Sequence, residues 1–493
     1  MSLLKARRWG WWLIYALWTG MVAVLLSGVL NPPKGGLRAP EELLGGVSLE
    51  REESWMGIYV NGAKIGFIHS ELTPRGGAYV IREVSQMSGA LMGAQQEMKV
   101  ELTVLTDSTL ALAAFDGGVE SGIYPTRFSG HIEGKVLAVK VTAGGATNER
   151  FIPAPEPLYV SQAIKPLLQA GRLGAGDSLK LSGFDPVSME MQDLVVTGAA
   201  LKPVRLWGED YVARELTTRM GGYESRMVVD RDGNLLVEYG PMGMMMRREP
   251  AEKAMMLAEG GGRVDFSDMF AVVPKGEIFA PRKTQVVKYR VTGIDARRIA
   301  DASDRQNLVD EADGVVLVGE EKPVRRGGLP VDSLARFVQD APFIESRSPK
   351  IRAAAEEAMR RGIDRADSLQ KLSDWVFRAV RKLPAAGIPS ALAVLELRQG
   401  DCNEHTALFT AMARSVGIPC RMELGVVYQS GKFYYHAWPA AFVDGRWVEF
   451  EPTLGLRGVD AARIALTTGD LTNAAELAGV IGKLGIEILK VSE

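Results

Sequence analysis

A cysteine, a histidine and a carboxylate follow one another near the C-terminus, in the order of a thiol nucleophile, its base and the group that orients the base. Cys402 lies in the segment GDCNEH, His436 in YHAW and Glu451 in FEPT. The chain contains only two cysteines and four histidines. Their clustering therefore predicts thiol catalysis, with Cys402, His436 and Glu451 as the catalytic residues.

The surroundings of Cys402 predict how its thiol would be activated. A thiol attacks only as the thiolate, and Cys402 opens a predicted helix whose amides and dipole favour an anion. An imidazole nearby can hold the proton, so we expect a lowered pKa for Cys402. Glu451 ends a strand across a hairpin from His436, within reach of the ring. Glu449 shares its strand face by the period of two and is a second candidate for the orienting role.

Other uses of these residues compete with catalysis. Cys402 and His436 are residue types that also occur simply as buried core residues. Cys402 and Cys420 are the pair available for a disulfide. Cys402, His405 and His436 are metal-ligand types but lack paired spacing such as C-x-x-C. Methionines at 242 and 244–246 suit Cu(I), yet methionine also fills gaps in apolar cores. We predict no metal and no cofactor.

Elements of two kinds position the candidate site. Ser348-Pro349 is a cap and first-turn pair that begins a helical region, and a further helix begins at Cys402. Strands are then predicted at 422–428, 434–442 and 447–450, and Asp444-Gly445 forms the turn between the last two. Helices followed by an antiparallel sheet predict an α+β domain over residues 341–493, with a helical tail at the C-terminus.

The first half of the chain is rich in strand signals. Asn61-Gly62 between two apolar runs predicts a hairpin, and apolar residues at 98, 100, 102 and 104 alternate with polar ones. A helix is predicted near 161–169. These patterns predict a large antiparallel β-rich domain over residues 37–283, followed by a strand-containing connector over 284–340.

Four ordered motifs resemble the bacterial transglutaminase-like domain. They are GDC-x-EH-x-x-LF from Gly400, R-x-x-GIP-x-R from Arg414, HAW from His436 and W-x-x-x-EPT from Trp447, within roughly residues 340–460. The resemblance implies a papain-like fold with nucleophile, base and orienter at Cys402, His436 and Glu451. One departure is that the family usually carries aspartate where this chain has Glu451.

The resemblance also implies a reaction class. Active members form an acyl-thioester and pass the acyl group to water or to an amine, so protein or peptide amides are the expected substrates. Some members of the family are inactive, and a non-enzymatic envelope scaffold is the alternative. The backbone amide of Cys402 is the natural first oxyanion donor, and Gln399 is our candidate for the second.

Composition and the N-terminus indicate the cellular setting. Lys+Arg of 58 against Asp+Glu of 60 leaves no basic surplus for binding nucleic acid. Three basic residues precede an uncharged apolar run at residues 9–30, which has the length of a membrane span. We therefore expect a single-pass anchor in the inner (cytoplasmic) membrane rather than a cleaved signal, with the bulk of the chain in the periplasm or outside. The sequence does not indicate whether the protein is a monomer or an oligomer.

Overall fold

The fold was determined as a computed structural model of the 493-residue chain. It describes residues 37–38, 48–91, 94–121, 125–143, 145–170, 173–186, 190–220, 223–256, 264–319, 334–383, 390–469 and 480–492. Within these ranges no helix has the length and apolarity of a membrane span. The predicted anchor at residues 9–30 lies outside the described residues.

A sixteen-stranded sheet forms the first half of the described chain. Its strands are β1 Leu37–Arg38, β2 Glu52–Val60, β3 Ala63–Arg75, β4 Ala78–Leu91, β5 Ala94–Thr106, β6 Leu112–Ser121, β7 Thr126–Glu133, β8 Val136–Ala143, β9 Ala146–Pro153, β10 Ser178–Asp185, β11 Glu190–Gly198, β12 Lys202–Leu206, β13 Glu209–Met220, β14 Tyr223–Asp230, β15 Leu235–Tyr239 and β16 Met244–Arg248. Strands β2 to β9 pair in chain order, and β16 returns to pair with β2. Every pairing except β1 with β10 is antiparallel, as the sequence predicts.

Local sequence explains the individual strands. Asn61 and Gly62 both have positive φ, which gives the hairpin between β2 and β3 its tight turn. On β5 the residues Met98, Val100, Leu102 and Val104 are buried while their neighbours are more exposed, so the period of two places one face against the core.

Within the described ranges, three short helices accompany the large sheet. They are α1 Ile164–Ala170, preceded by a 3₁₀ turn at Ser161–Ala163, then α2 Ala251–Met255 and α3 Phe266–Phe270. Leu167 and Leu168 of α1 are buried against the sheet. The helix predicted near residues 161–169 is therefore confirmed.

The connector is a compact αβ unit. It contains β17 Val286–Thr292, α4 Ala296–Ala302, β18 Gln306–Asp310 and β19 Val315–Val318. Asp295 caps α4 by accepting a hydrogen bond from the Arg297 amide. Ile299 is fully buried, so its face of α4 packs against the hydrophobic core.

The C-terminal domain has the predicted order of helices before an antiparallel sheet. Its helices are α5 Pro349–Met359, α6 Arg365–Ala379, α7 Ala391–Leu397 and α8 Cys402–Ser415. Its strands are the parallel pair β20 Arg381–Lys382 and β21 Gln399–Gly400, then β22 Cys420–Gln429, β23 Lys432–Val443, β24 Arg446–Glu449 and β25 Arg463–Gly469. The four long strands are ordered β24-β23-β22-β25. Helix α8 is buried along nearly its whole length, between α5–α7 and the face of β22 and β23.

The last strand joins this domain to the connector. β26, Gly485–Ser492, pairs with β17 and completes a sheet of order β18-β19-β17-β26. The helical tail predicted for the C-terminus is therefore wrong for residues 485–492. Ile486 and Ile488 alternate with polar residues there, a pattern that also suits a strand. Pairing with β17 provides the backbone hydrogen bonds of this strand, and the local sequence does not reveal that distant partner.

Candidate active site

Cys402 occupies the first position of α8, held there by a capping box. Asp401 Oδ1 accepts a hydrogen bond from the Asn403 amide at 2.7 Å, and Glu404 Oε2 accepts from the Asp401 amide at 2.8 Å. A capping box satisfies otherwise unpaired amides in the first helical turn. Together with the bond from the Glu404 amide to the Asp401 side chain, they occupy the amides of Asp401, Asn403 and Glu404. The Cys402 amide takes no part in the capping box.

Gly400 is required by the close approach of this turn. A Cβ at Gly400 would lie 2.2 Å from Glu404 Cβ, and the residue has a φ of +155°. Only glycine allows the chain to leave β21 and turn directly into the cap. The glycine of the GDC motif therefore fixes where the helix begins, and with it the position of the thiol.

Strand β23 brings His436 beside the start of α8. His436 lies opposite Gly425 in the β22–β23 pairing. The next residue, Ala437, contacts the helix twice. Thr406 Oγ1 donates to the Ala437 carbonyl at 3.1 Å, and the Ala437 amide is close enough to the Cys402 sulfur to act on the pKa of that thiol. The thiol thus docks on the strand one residue from the imidazole.

Glu451 contacts both His436 and a buried arginine, Arg463. His436 Nε2 lies 3.0 Å from Glu451 Oε2, and Arg463 Nη1 donates to the same oxygen at 2.8 Å. The other carboxylate oxygen accepts from the Thr453 and Leu454 amides at 3.2 and 3.3 Å. Glu451 is fully buried and His436 is 1% exposed. The longer side chain of glutamate therefore reaches the ring from the turn that follows β24.

Glu449, the alternative orienter, lies in a different cluster. Its carboxylate accepts a hydrogen bond from Ser303 of the connector and lies 3.6 Å from Arg305. It also neighbours Glu423, which accepts from Trp438 Nε1 at 3.1 Å. In this structure the carboxylate that contacts His436 is that of Glu451.

The charges around Glu451 determine the protonation of the pair. Burial raises the pKa of Glu451, but His436 and Arg463 outweigh it and bring that pKa well below its usual range. Burial lowers the pKa of His436, and Glu451 opposes this shift. The carboxylate is therefore ionised, and the resting imidazole is neutral with its proton on Nε2, facing the carboxylate.

The thiol departs from the expectation drawn from sequence. Burial raises the pKa of Cys402 well above its ordinary value, and the carboxylates of Asp401, Glu404 and Glu451 raise it further. The Ala437 amide acts in the opposite direction but does not prevail. Cys402 is 3% exposed. The thiol of Cys402 and the imidazole of His436 are therefore both neutral at rest.

The structure also locates the residues that the competing uses involve. Cys402 and Cys420 are both buried and form no disulfide with each other. Across the described ranges, no three or more His, Cys, Asp and Glu side chains form a group able to hold a metal ion. His405 lies within the helix start, with Nδ1 2.5 Å from the Asp401 carbonyl. Met244 and Met246 are buried in the apolar core of the large sheet.

Sequence reasoning missed Arg463 and the role of Trp438. Arg463 is buried on β25, contacts Glu451 and lies with its guanidinium 5.2 Å from the centre of the Trp438 ring. The centre of the Trp438 ring system in turn lies 5.9 Å from the centre of the His436 ring, and both side chains are on the same face of β23. A lone arginine at the start of the apolar run Ile464-Ala465-Leu466 was the available signal, because a buried charge requires a partner.

Comparison with protein families supports the assignment of this domain. Residues 352–452 match the transglutaminase-like superfamily core, so the chain carries a transglutaminase-like domain that includes Cys402, His436 and Glu451. Members of this superfamily are usually cysteine-dependent enzymes. No curated protein matches the sequence of the chain.

Three solved structures are similar to parts of the chain. A candidate cysteine protease from Cytophaga hutchinsonii is 16% identical, with a TM-score of 0.28, over 42% of this chain and 86% of that one. A β-barrel-like protein of unknown function from Brucella abortus is 13% identical, with a TM-score of 0.30, over 41% and 97%. A candidate protease from Parabacteroides distasonis is 11% identical, with a TM-score of 0.21, over 76% and 64%. At TM-scores this low, the similarity assigns no activity to this chain.

Proposed function

We propose that this protein is a cysteine-dependent acyltransferase or amidase that acts on protein or peptide amides through an acyl-thioester on Cys402. The observation that supports this proposal is the buried Arg463–Glu451–His436 network, which orders the imidazole next to the strand position on which the thiol docks. Such an arrangement is costly to bury and serves a base that must keep one orientation.

The first half-reaction forms the thioester. His436 Nδ1 takes the Cys402 proton as the sulfur attacks the amide carbonyl carbon, and the Cys402 amide stabilises the oxyanion. Collapse of this intermediate breaks the C–N bond, and the imidazolium gives its proton to the departing amine. Glu451 stays ionised throughout and stabilises the imidazolium. Gln399, which precedes Gly400 on β21, remains our candidate for the second oxyanion donor.

The second half-reaction regenerates the thiol. Water or a primary amine attacks the thioester carbonyl while His436 removes its proton, and the same proton returns to the Cys402 sulfur as the C–S bond breaks. Hydrolysis and amine transfer thus share one intermediate and differ only in the acceptor.

A single assay separates the two acceptors. A glutamine-bearing protein is incubated with the enzyme and a fluorescent primary amine, and covalent fluorescence, ammonia release and peptide cleavage are measured together. Incorporated fluorescence means transfer, whereas cleavage or ammonia alone means hydrolysis. Cys402→Ser must abolish either signal, while Cys420→Ala serves as the matched control because it alters the other buried cysteine and none of the proposed catalytic residues.

The second candidate function is an inactive envelope scaffold that keeps the transglutaminase-like fold. The observation that favours it is the burial of Cys402 together with its raised pKa. Intact-mass measurement with amide and thioester substrates tests it directly. An acyl adduct on Cys402 excludes the scaffold, whereas neither adduct nor turnover with a broad set of substrates would contradict the enzymatic proposal.

We further propose that residues 9–30 anchor the protein in the inner membrane, with the enzymatic domain in the periplasm or outside. This rests on the apolar run and on the basic residues that precede it. A reporter that functions only outside the cytoplasm, fused after Glu493, should be active. Activity from a cytoplasm-only reporter at the same position would reverse the orientation.

A further inference from the structure

The large sheet encloses a pocket remote from Cys402. Its volume is about 90 Å³, and its lining comes from β2–β4, the 3₁₀ turn with α1, and β14–β16. Most of the lining surface is apolar, and the apolar side chains that line it include Met56, Ile81, Met227 and Met246. Thioether side chains adapt readily to the shape of a bound group.

One side chain in this pocket has an unused binding position. Glu238 is 1% exposed, and its Oε1 accepts a hydrogen bond from Ser225 Oγ at 2.9 Å. Its Oε2 is buried and has no hydrogen-bond partner among the described residues. A buried carboxyl oxygen without a partner is costly, so it marks a position where a ligand can form the missing hydrogen bond or an ion pair.

The other charged groups at the pocket already have partners. Lys165 pairs with Glu52 at 2.7 Å and donates to Ser54 at 2.8 Å. Glu83 accepts from Gln162 and Ser70 at 3.0 and 3.1 Å. Glu71 pairs with Arg51 at 2.8 Å. Four glutamates against one lysine in the lining leave the pocket acidic.

We propose that this pocket binds a primary alkylammonium group, with the ammonium donating to Glu238 Oε2 and the alkyl chain packing against the apolar lining. The partly exposed Glu52, Glu71 and Lys165 mark its open side. A short chain of about four carbons suits a cavity of this volume. A small amine and the lysine side chain of a polypeptide both carry this chemistry.

The proposal implies that binding is linked to a proton. Burial raises the pKa of Glu238 to about 8, so the empty pocket holds a neutral carboxyl at pH 6. An ammonium requires the carboxylate and therefore expels that proton. Affinity should rise about tenfold per pH unit below the pKa of Glu238 and level off above it. Burial also raises the pKa of Glu83 and lowers that of Lys165, and Arg248 lies near Lys165. A variant of Glu238 is therefore needed to separate its proton release from any proton release by these neighbours.

Calorimetry on the full chain tests the proposal with three probes of similar size. n-Butylamine should bind with release of one proton, measured in two buffers of different ionisation enthalpy, whereas n-butanol and butyrate should bind at least about tenfold more weakly. Nα-acetyl-lysine amide distinguishes the sources: binding like that of n-butylamine indicates a polypeptide lysine, and binding of n-butylamine alone indicates a free amine.

Two variants identify the group responsible. Glu238→Gln keeps the shape and the acceptor for Ser225, and should weaken n-butylamine binding about tenfold or more and abolish proton release. Glu224→Gln is the matched control, since it alters an exposed residue of neighbouring β14 and should bind as the parent does. Equal affinity for n-butylamine and n-butanol in the parent, or unchanged binding in Glu238→Gln, would overturn the proposal. Repeating the titrations in Cys402→Ser removes acyl transfer, for which the primary amines would serve as acceptors, so the result is then independent of the proposed enzymatic function.

Discussion

At the scale of single residues, Arg463 decides whether the buried Glu451 is tolerated. Glu451 is fully buried and shares one oxygen between His436 and Arg463. A neutral imidazole alone cannot neutralise a carboxylate, so the guanidinium supplies the compensating charge. This explains how a carboxylate can be fully buried at position 451.

Replacing Arg463 tests this account. Arg463→Ala leaves the buried carboxylate uncompensated and should lower the free energy of unfolding by about 3 to 5 kcal/mol. Arg457→Ala, an exposed arginine whose side chain is 81% accessible, should cost less than about 1 kcal/mol. Urea unfolding measures both. Because Arg463 also lowers the pKa of His436, NMR titration of the ring in Arg463→Ala should show a higher pKa.

The protonation of the resting site gives a second prediction. Burial and the neighbouring carboxylates raise the pKa of Cys402, so the rate of iodoacetamide alkylation should increase only above pH 9.0, the ordinary value for this thiol. In urea the same cysteine should react at lower pH, because unfolding exposes the thiol to water and disperses the neighbouring carboxylates. A folded profile with its midpoint near neutrality would instead indicate a preformed thiolate–imidazolium pair.

At the scale of the elements, the helix cap both positions and disfavours the thiolate. Asp401→Ala removes the cap and should cost about 1 kcal/mol of stability, as should Asp364→Ala at the start of α6. Asp401 raises the pKa of Cys402, so Asp401→Asn, which retains a capping side chain, should shift alkylation to lower pH with little loss of stability. Alkylation in Asp364→Ala should match the parent. If Asp401→Asn leaves the alkylation profile unchanged, the carboxylate does not control this thiol.

Local signals made these elements predictable, and distant contacts made others unpredictable. The Asn61-Gly62 and Asp444-Gly445 turns and the cap at Asp401 depend on a few adjacent residues, so the sequence identifies them. The contact between Arg463 and Glu451 depends on how β25 pairs with β22, which no local pattern specifies. The raised pKa of Cys402 was missed for the same reason, since burial is a property of the assembled fold.

At the scale of the whole molecule, the connector is part of the structure that supports the catalytic sheet. β26 crosses back from the C-terminus to pair with β17, and Tyr289 of β17 donates to the Ala461 carbonyl at 2.9 Å. Its ring also packs edge-on against Phe433 of β23 at 5.9 Å. Gln306 accepts from the Ala465 amide of β25 at 2.6 Å. These contacts connect residues far apart in the sequence, so the connector and the transglutaminase-like domain should unfold together.

Substitutions on β26 test this coupling because the strand offers a buried and an exposed apolar residue. Ile486 is 4% exposed and Leu489 is 37% exposed. Ile486→Ala should lower the free energy of unfolding by about 2 to 5 kcal/mol, and Leu489→Ala by less than about 1 kcal/mol. Hydrogen exchange should show β17, β22 and β26 losing protection together in Ile486→Ala, because removing the apolar anchor of the last strand loosens the sheet that carries Tyr289. Loss of protection confined to residues 485–492 would mean instead that the last strand frays independently of the catalytic domain.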